Sequence, residues 1–139
     1  MAIGDFAVVK DTWEGMTVDY YVEKEYEQYA RDIFGLTPEM LTFYSEKLGV
    51  KYPWAKYSQV VVRDYVSGAM ENTSAVIHGD FVQQTKREMI DGSAGEDVIA
   101  HELFHHWFGD LVTCESWDNL PLNESFATYG EELLSLIHI

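Results

Sequence analysis

Cysteine is nearly absent from this chain. Cys114 is the only one in 139 residues, so no internal disulfide can form, no cysteine cluster can close around a metal, and the redox compartment stays open. Basic residues are also scarce: nine Lys and Arg stand against 24 Asp and Glu, a formal charge of −15. Nucleic acid is therefore excluded as a partner, because a phosphate backbone requires a basic footprint. Cationic or amine-bearing ligands are the favoured class, although an acidic surface also serves solubility alone. No apolar run approaches the roughly 18 residues of a membrane-spanning helix. The opening residues, Met1 to Asp5, carry neither the basic region nor the apolar stretch of a secretory signal. Repeats, low-complexity tracts and linker-like stretches are missing as well. What remains is 47% apolar and 24% charged, the composition of a soluble globular chain with one domain's worth of residues. Neither a compartment nor an oligomeric state can be read from it.

Strand-like segments come first, at Phe6–Val9 and Met16–Val22. Tyr26, Tyr29, Ala30, Ile33 and Phe34 then recur at helical spacing, with Gly35 as a stop. Thr37-Pro38 predicts a second helix, with Thr37 as its cap, Leu41, Tyr44 and Leu48 on its buried face, and Gly49 at its end. Val60–Val62 carries a strong β signal, and Ser74–Val82 reads as a further strand containing His78. Ser93 with Glu96 forms a capping-box pattern that opens a helix closed by Gly109. A loop over residues 110–122 leads to a last helix, opened by Pro121 or Asn123 and reaching Leu136.

The third of these helices carries His101-Glu102-Leu103-Phe104-His105. Residues four apart share a helix face, so two imidazoles can converge on one metal. Glu102 is turned about 100° away from His101, beside a metal rather than on it, where a base acting on water should stand. A surface helix with two solvated histidines is the other reading of the same five residues. Glu124 follows His105 by nineteen residues and opens the next helix. Two His and one Glu make the donor set of a catalytic zinc, with one position left open; an acidic residue in a first helical turn is otherwise unremarked.

With these residues in place, the chain resembles the aminopeptidase N family of zinc metallopeptidases. The resemblance rests on His101–His105, an eighteen-residue gap and Leu122-Asn123-Glu124-Ser125-Phe126-Ala127. Upstream, Gly68-Ala69-Met70-Glu71-Asn72 reproduces that family's exopeptidase signature, and His106 to Thr113 with Trp117 follow its pattern. The resemblance implies His101, His105 and Glu124 as ligands of one Zn2+ and Glu102 as general base. It implies Glu71 as the carboxylate that grips the α-ammonium of peptide substrates, with Gly68 and Ala69 offering backbone groups from an edge strand. The expected fold is α+β, a mixed sheet packed on helices with the metal site on a helix over about residues 94–108, part of a thermolysin-like zincin catalytic domain. Residues 1–24 would be the tail of an N-terminal β-domain and residues 25–139 the front half of the catalytic domain. The implied activity is removal of N-terminal residues from peptides; one branch of the family also opens a lipid epoxide.

Some positions depart from the pattern. Ser125 replaces a common glycine, and the tyrosine that the family uses to stabilise the oxyanion lies beyond residue 139. A fragment that keeps zinc without turning over is therefore the rival expectation. Tyr129 is too near Glu124 to serve as that tyrosine and reads as core. Glu131, two turns after Glu124, can orient a ligand histidine from behind or can be a solvated face residue. His78 and His106 are read first as satisfied structural histidines, and Cys114 as a small buried residue. Residues 134–139 do not follow the family.

Overall fold

Alternation in the first two dozen residues builds a hairpin. Strands β1 (Phe6–Trp13) and β2 (Met16–Glu23) pair antiparallel from Phe6↔Glu23 to Trp13↔Met16. Only Glu14 and Gly15 turn the chain, with φ of 47° and 84°. Two successive left-handed residues give the tight turn whose twist suits paired strands. The computed structural model describes residues 2–135.

A crossover follows, because β2 pairs parallel with β3 (Lys56–Val62) and parallel neighbours cannot be joined by a tight turn. It contains a 3₁₀ segment, Lys24–Tyr29, then α1 (Ala30–Phe34) and α2 (Thr37–Leu48). The helix expected over residues 26–34 is thus α-helical only in its second half. Thr37 does not cap α2. It is the first helical residue, it is buried, and its Oγ1 accepts a hydrogen bond from Gln59 Nε2 at 2.8 Å. Gly49, at φ 65°, ends α2 in the left-handed conformation expected of it.

After β3 the chain runs to the sheet edge as β4 (Ala69–Met70) and turns back as β5 (Ala75–Gly79), giving the order β1-β2-β3-β5-β4. The strand expected over Ser74–Val82 stops at Gly79, and Asp80–Val82 is a 3₁₀ turn. Among the described residues, β4 has no sheet neighbour on its outer side.

The site helix α3 spans Glu96–Phe104, and α4 spans Glu124–Ser135. The Ser93/Glu96 capping box does not form: Gly95 is the cap, and Ser93 Oγ accepts from Gly95 N–H at 3.4 Å. Residues 105–108 continue α3 in tighter turns, and Gly109, at φ 146°, redirects the chain. Part of the expected loop over residues 110–122 is a 3₁₀ helix, Trp117–Leu122. The expected end of the last helix at Leu136, and the residues after it, lie outside the described residues.

The fold is α+β, with a mixed sheet and helices packed on one of its faces. Val18, Tyr20, Val22, Tyr57, Val61 and Val76 point from the sheet into a core completed by Phe34, Leu41, Tyr44, Ile99, Leu103 and Phe104. His78 lies among them as a structural histidine. It is fully buried, it faces Gln59 Oε1 at 3.0 Å, and burial pushes its pKa down to about 3. Two expected core residues are not core: Tyr129 is 57% exposed and Cys114 is half-buried.

Candidate metal centre

The buried stripe of α3, formed by Ile99, Ala100, Leu103 and Phe104, fixes how the helix rolls against the core. That roll turns His101 and His105 towards α4. Their Nε2 atoms lie 3.1 Å apart, and Glu124 Oε2 lies 3.3 Å from the first and 3.5 Å from the second. Each ring is held from behind. His101 Nδ1 faces Glu131 Oε1 at 2.5 Å, and His105 Nδ1 faces the Phe108 carbonyl at 2.9 Å. Both partners are pure acceptors, so each Nδ1 carries the proton and each Nε2 presents a lone pair to the centre.

Two ring nitrogens and a carboxylate oxygen therefore converge, a donor set that suits a small divalent cation. The spacing fits a small tetrahedral ion, whose ligand atoms bonded at about 2.0–2.1 Å lie about 3.3–3.4 Å apart. Buried His105 closes one side, while the Glu124 side chain is 48% exposed and leaves another open.

Glu102 stands beside this triangle. It is buried, with 6% of its surface exposed, and Oε2 has no hydrogen-bond partner among the described residues. Burial pushes its carboxyl up to about 8, and the charges of Glu71, Glu124 and Glu131 push the same way. Acceptor atoms of Glu71, Glu102 and His105 lie within 4.8 Å of one another. Glu71 directly follows β4, and it reaches α3 because the edge strand runs past that helix. Gly68 and Ala69 are on the same edge: the Gly68 carbonyl accepts from Gly79 N–H at 2.6 Å, and Ala69 is opposite His78.

The packing of α4 against α3 sets the Glu124 and Glu131 positions, and Gly130 lies at the contact. A Cβ there would come within 2.6 Å of Phe104 Cγ and Cδ2, and the Gly130 carbonyl accepts from Tyr44 O–H at 2.8 Å. Gly130→Ala should therefore push the helices apart, cost about 1–3 kcal/mol of stability, and weaken metal retention. Thermal unfolding with and without added zinc reads both effects; a metal affinity unchanged beside a lowered Tm would mean that the strain is relieved away from the site.

Sequence spacing alone singled out His101, Glu102, His105 and Glu124, and the structure brings all four together. It missed the Phe108 carbonyl behind His105, which no side-chain pattern signals. It assigned no role to Asp110, whose half-buried carboxyl burial pushes up in pKa and whose Oδ2 lies 3.8 Å from His106 Nε2.

In this α+β domain two histidines of one helix and a carboxylate of the next form a group that could hold one metal ion, with a second glutamate of the first helix beside it. The Peptidase family M1 domain matches residues 33–136, and the chain belongs to this family. Among curated relatives it is 46% identical over 102 residues to aminopeptidase N of Streptomyces lividans, a match covering 71% of this chain and 12% of that protein. It is 38% identical over 128 residues to aminopeptidase N of Lactobacillus helveticus, covering 88% of this chain and 15% of the relative. Identity to glutamyl aminopeptidase of Bos taurus is 30% over 135 residues, covering 91% and 14%. The chain thus spans only 12% to 15% of the length of these three relatives.

Proposed function

We propose that the protein containing this chain is a zinc-dependent aminopeptidase, whose substrates are peptides with a free amino terminus and whose catalytic domain is of the thermolysin-like zincin kind. The observation that carries this reading is the convergence of His101 Nε2, His105 Nε2 and Glu124 Oε2 beside a buried, partnerless Glu102 oxygen. His101, His105 and Glu124 would hold one zinc, which supplies Lewis-acid activation of water and polarises the scissile carbonyl. Glu131 fixes the tautomer and orientation of His101, the role of an outer carboxylate in such centres. Glu102 takes the proton from the attacking water and passes it to the departing amine. Its raised proton affinity suits it to carry that proton, and a bound divalent cation acts on it in the opposite sense.

Glu71 supplies the specificity in this reading. Its carboxylate sits beside the base, where a substrate's α-ammonium can pair with it, and the outer side of β4 at Gly68 and Ala69 gives the peptide backbone an edge to lie against. Removing one partner of a desolvated charge pair costs about 2–5 kcal/mol. Glu71→Ala in the full-length protein should therefore lose most of its preference for free over N-acetylated substrates while keeping its zinc. A variant that still strongly prefers free termini would move this role to another carboxylate. Relatives named aminopeptidases favour peptides over the lipid-epoxide alternative.

One observation favours a second reading for the 139-residue polypeptide on its own. Leu111, Val112, Trp117, Leu122, Phe126 and Tyr129 are exposed along one stretch, from the turn after α3 into α4. Apolar surface of that extent needs a cover, and a site without surrounding walls loses both positioning and water exclusion. Residues 1–139 alone should bind zinc yet turn over an aminoacyl substrate at least 10²-fold more slowly than the full-length protein. Comparable rates per zinc would overturn this second reading.

A further inference from the structure

Ser74 adopts a left-handed backbone at φ 60°, a conformation that a residue other than glycine keeps only when its surroundings impose it. It closes the turn that reverses the chain from edge strand β4 into β5. Its carbonyl accepts from Ser58 N–H on β3 at 3.0 Å, and its own N–H donates to His106 Nε2 at 2.9 Å. Since Nε2 is the acceptor, the His106 proton sits on Nδ1, which donates to the Glu102 carbonyl at 3.1 Å.

One imidazole thus joins two elements distant in sequence, the Glu71–Ser74 turn and the helix that bears the base. Its surroundings hold it rigidly: the ring is fully buried, Tyr52 and Tyr57 flank it with centroids at 5.6 and 5.1 Å, and the His106 carbonyl accepts from Trp54 Nε1 at 3.2 Å. Asp110, in the segment that follows α3, lies beside the same ring, its Oδ2 3.8 Å from Nε2.

We propose that His106 is a positioning residue: through Ser74 N–H and the Glu102 carbonyl it fixes the Glu71 carboxylate at its working distance from the base. The proposal rests on the reading of Glu71 given above. An aminopeptidase must hold the α-ammonium at one distance from the attacked carbonyl, and a turn free to shift by an ångström would blur that distance. Neither ring nitrogen of His106 reaches the metal triangle, so the effect falls on substrate register rather than on zinc.

The test uses three variants of the full-length protein. His106→Gln keeps one acceptor and one donor, and His106→Leu removes both. His106→Leu with Ser74→Gly adds a residue that adopts the left-handed turn without an anchor. His106→Leu should raise KM for a free aminoacyl substrate, and lower the preference over its N-acetylated form, by about tenfold each, with unchanged zinc and a smaller change in kcat. Glutamine should restore most of this loss, and the Ser74→Gly double variant part of it. If the leucine variant does not fold, His106→Asn, which is polar but too short to span both partners, should show the same KM rise. Unchanged KM and preference in the leucine or asparagine variant overturn the proposal. A glutamine variant as impaired as leucine also overturns it, since packing alone would then account for His106. Failure of the underlying reading is distinct: the unsubstituted protein would show no preference for free amino termini.

Discussion

Glu102→Gln in the full-length protein should leave one zinc per chain in place and lower turnover by about 10²–10⁴-fold, the usual cost of a positioned base. Glutamine has nearly the same shape, so the packing of α3 is kept. The three atoms that converge on the centre belong to His101, His105 and Glu124, and none is touched. What disappears is the ability of the buried Oε2 position to accept and return a proton. That oxygen makes no hydrogen bond among the described residues, so no structural contact is lost with it. The substitution also removes one acidic group from the cluster with Glu71, Glu124 and Glu131, whose charges each raise the pKa of Glu102. The apo variant should therefore be at least as stable as the apo parent. Zinc analysis beside steady-state kinetics on an aminoacyl substrate separates the roles. Loss of zinc would make Glu102 a ligand, and near-parental turnover would assign the base elsewhere.

How much of this site could be read beforehand depends on how each residue reaches it. His101 and His105 were legible because helical geometry alone puts residues four apart on one face. Glu102 was legible as a neighbour, but its burial was not, since that follows from how Phe104 and Trp107 seat α3 and its continuation against Tyr44 of α2. Glu71 is 31 residues upstream of Glu102, and a two-residue edge strand delivers it. No local period encodes such a delivery, so only family resemblance pointed to it. Expectations built on caps failed where tertiary contacts claimed the side chains, as when Gln59 took the Thr37 hydroxyl. Tyr129 misled for a related reason. An aromatic on a short helix reads as core, but α4 turns Ala127, Gly130 and Leu134 inward and leaves Tyr129 outside. His106 read correctly as buried and satisfied, yet the meaning of its bonds depended on a left-handed turn at Ser74 that spacing does not reveal.

His101→Ala should abolish stoichiometric zinc binding and reduce peptidase activity to background. Of the three candidate ligands, His101 is the one whose ring contacts both parts of the acidic α4 face, Glu124 through Nε2 at 3.3 Å and Glu131 through Nδ1. Its removal takes one of three donors, and it leaves Glu131 with nothing to orient. Loss of an outer partner alone costs about 10–100-fold in metal affinity, and loss of a direct donor together with that partner should cost more. Stability gives a second, independent readout. The parent should gain Tm on adding zinc, because a ligand that binds only the folded state stabilises it by mass action. In His101→Ala that gain should vanish. Equal zinc content in the variant and the parent, or an undiminished zinc-dependent rise in Tm, would show that the metal is held by other residues.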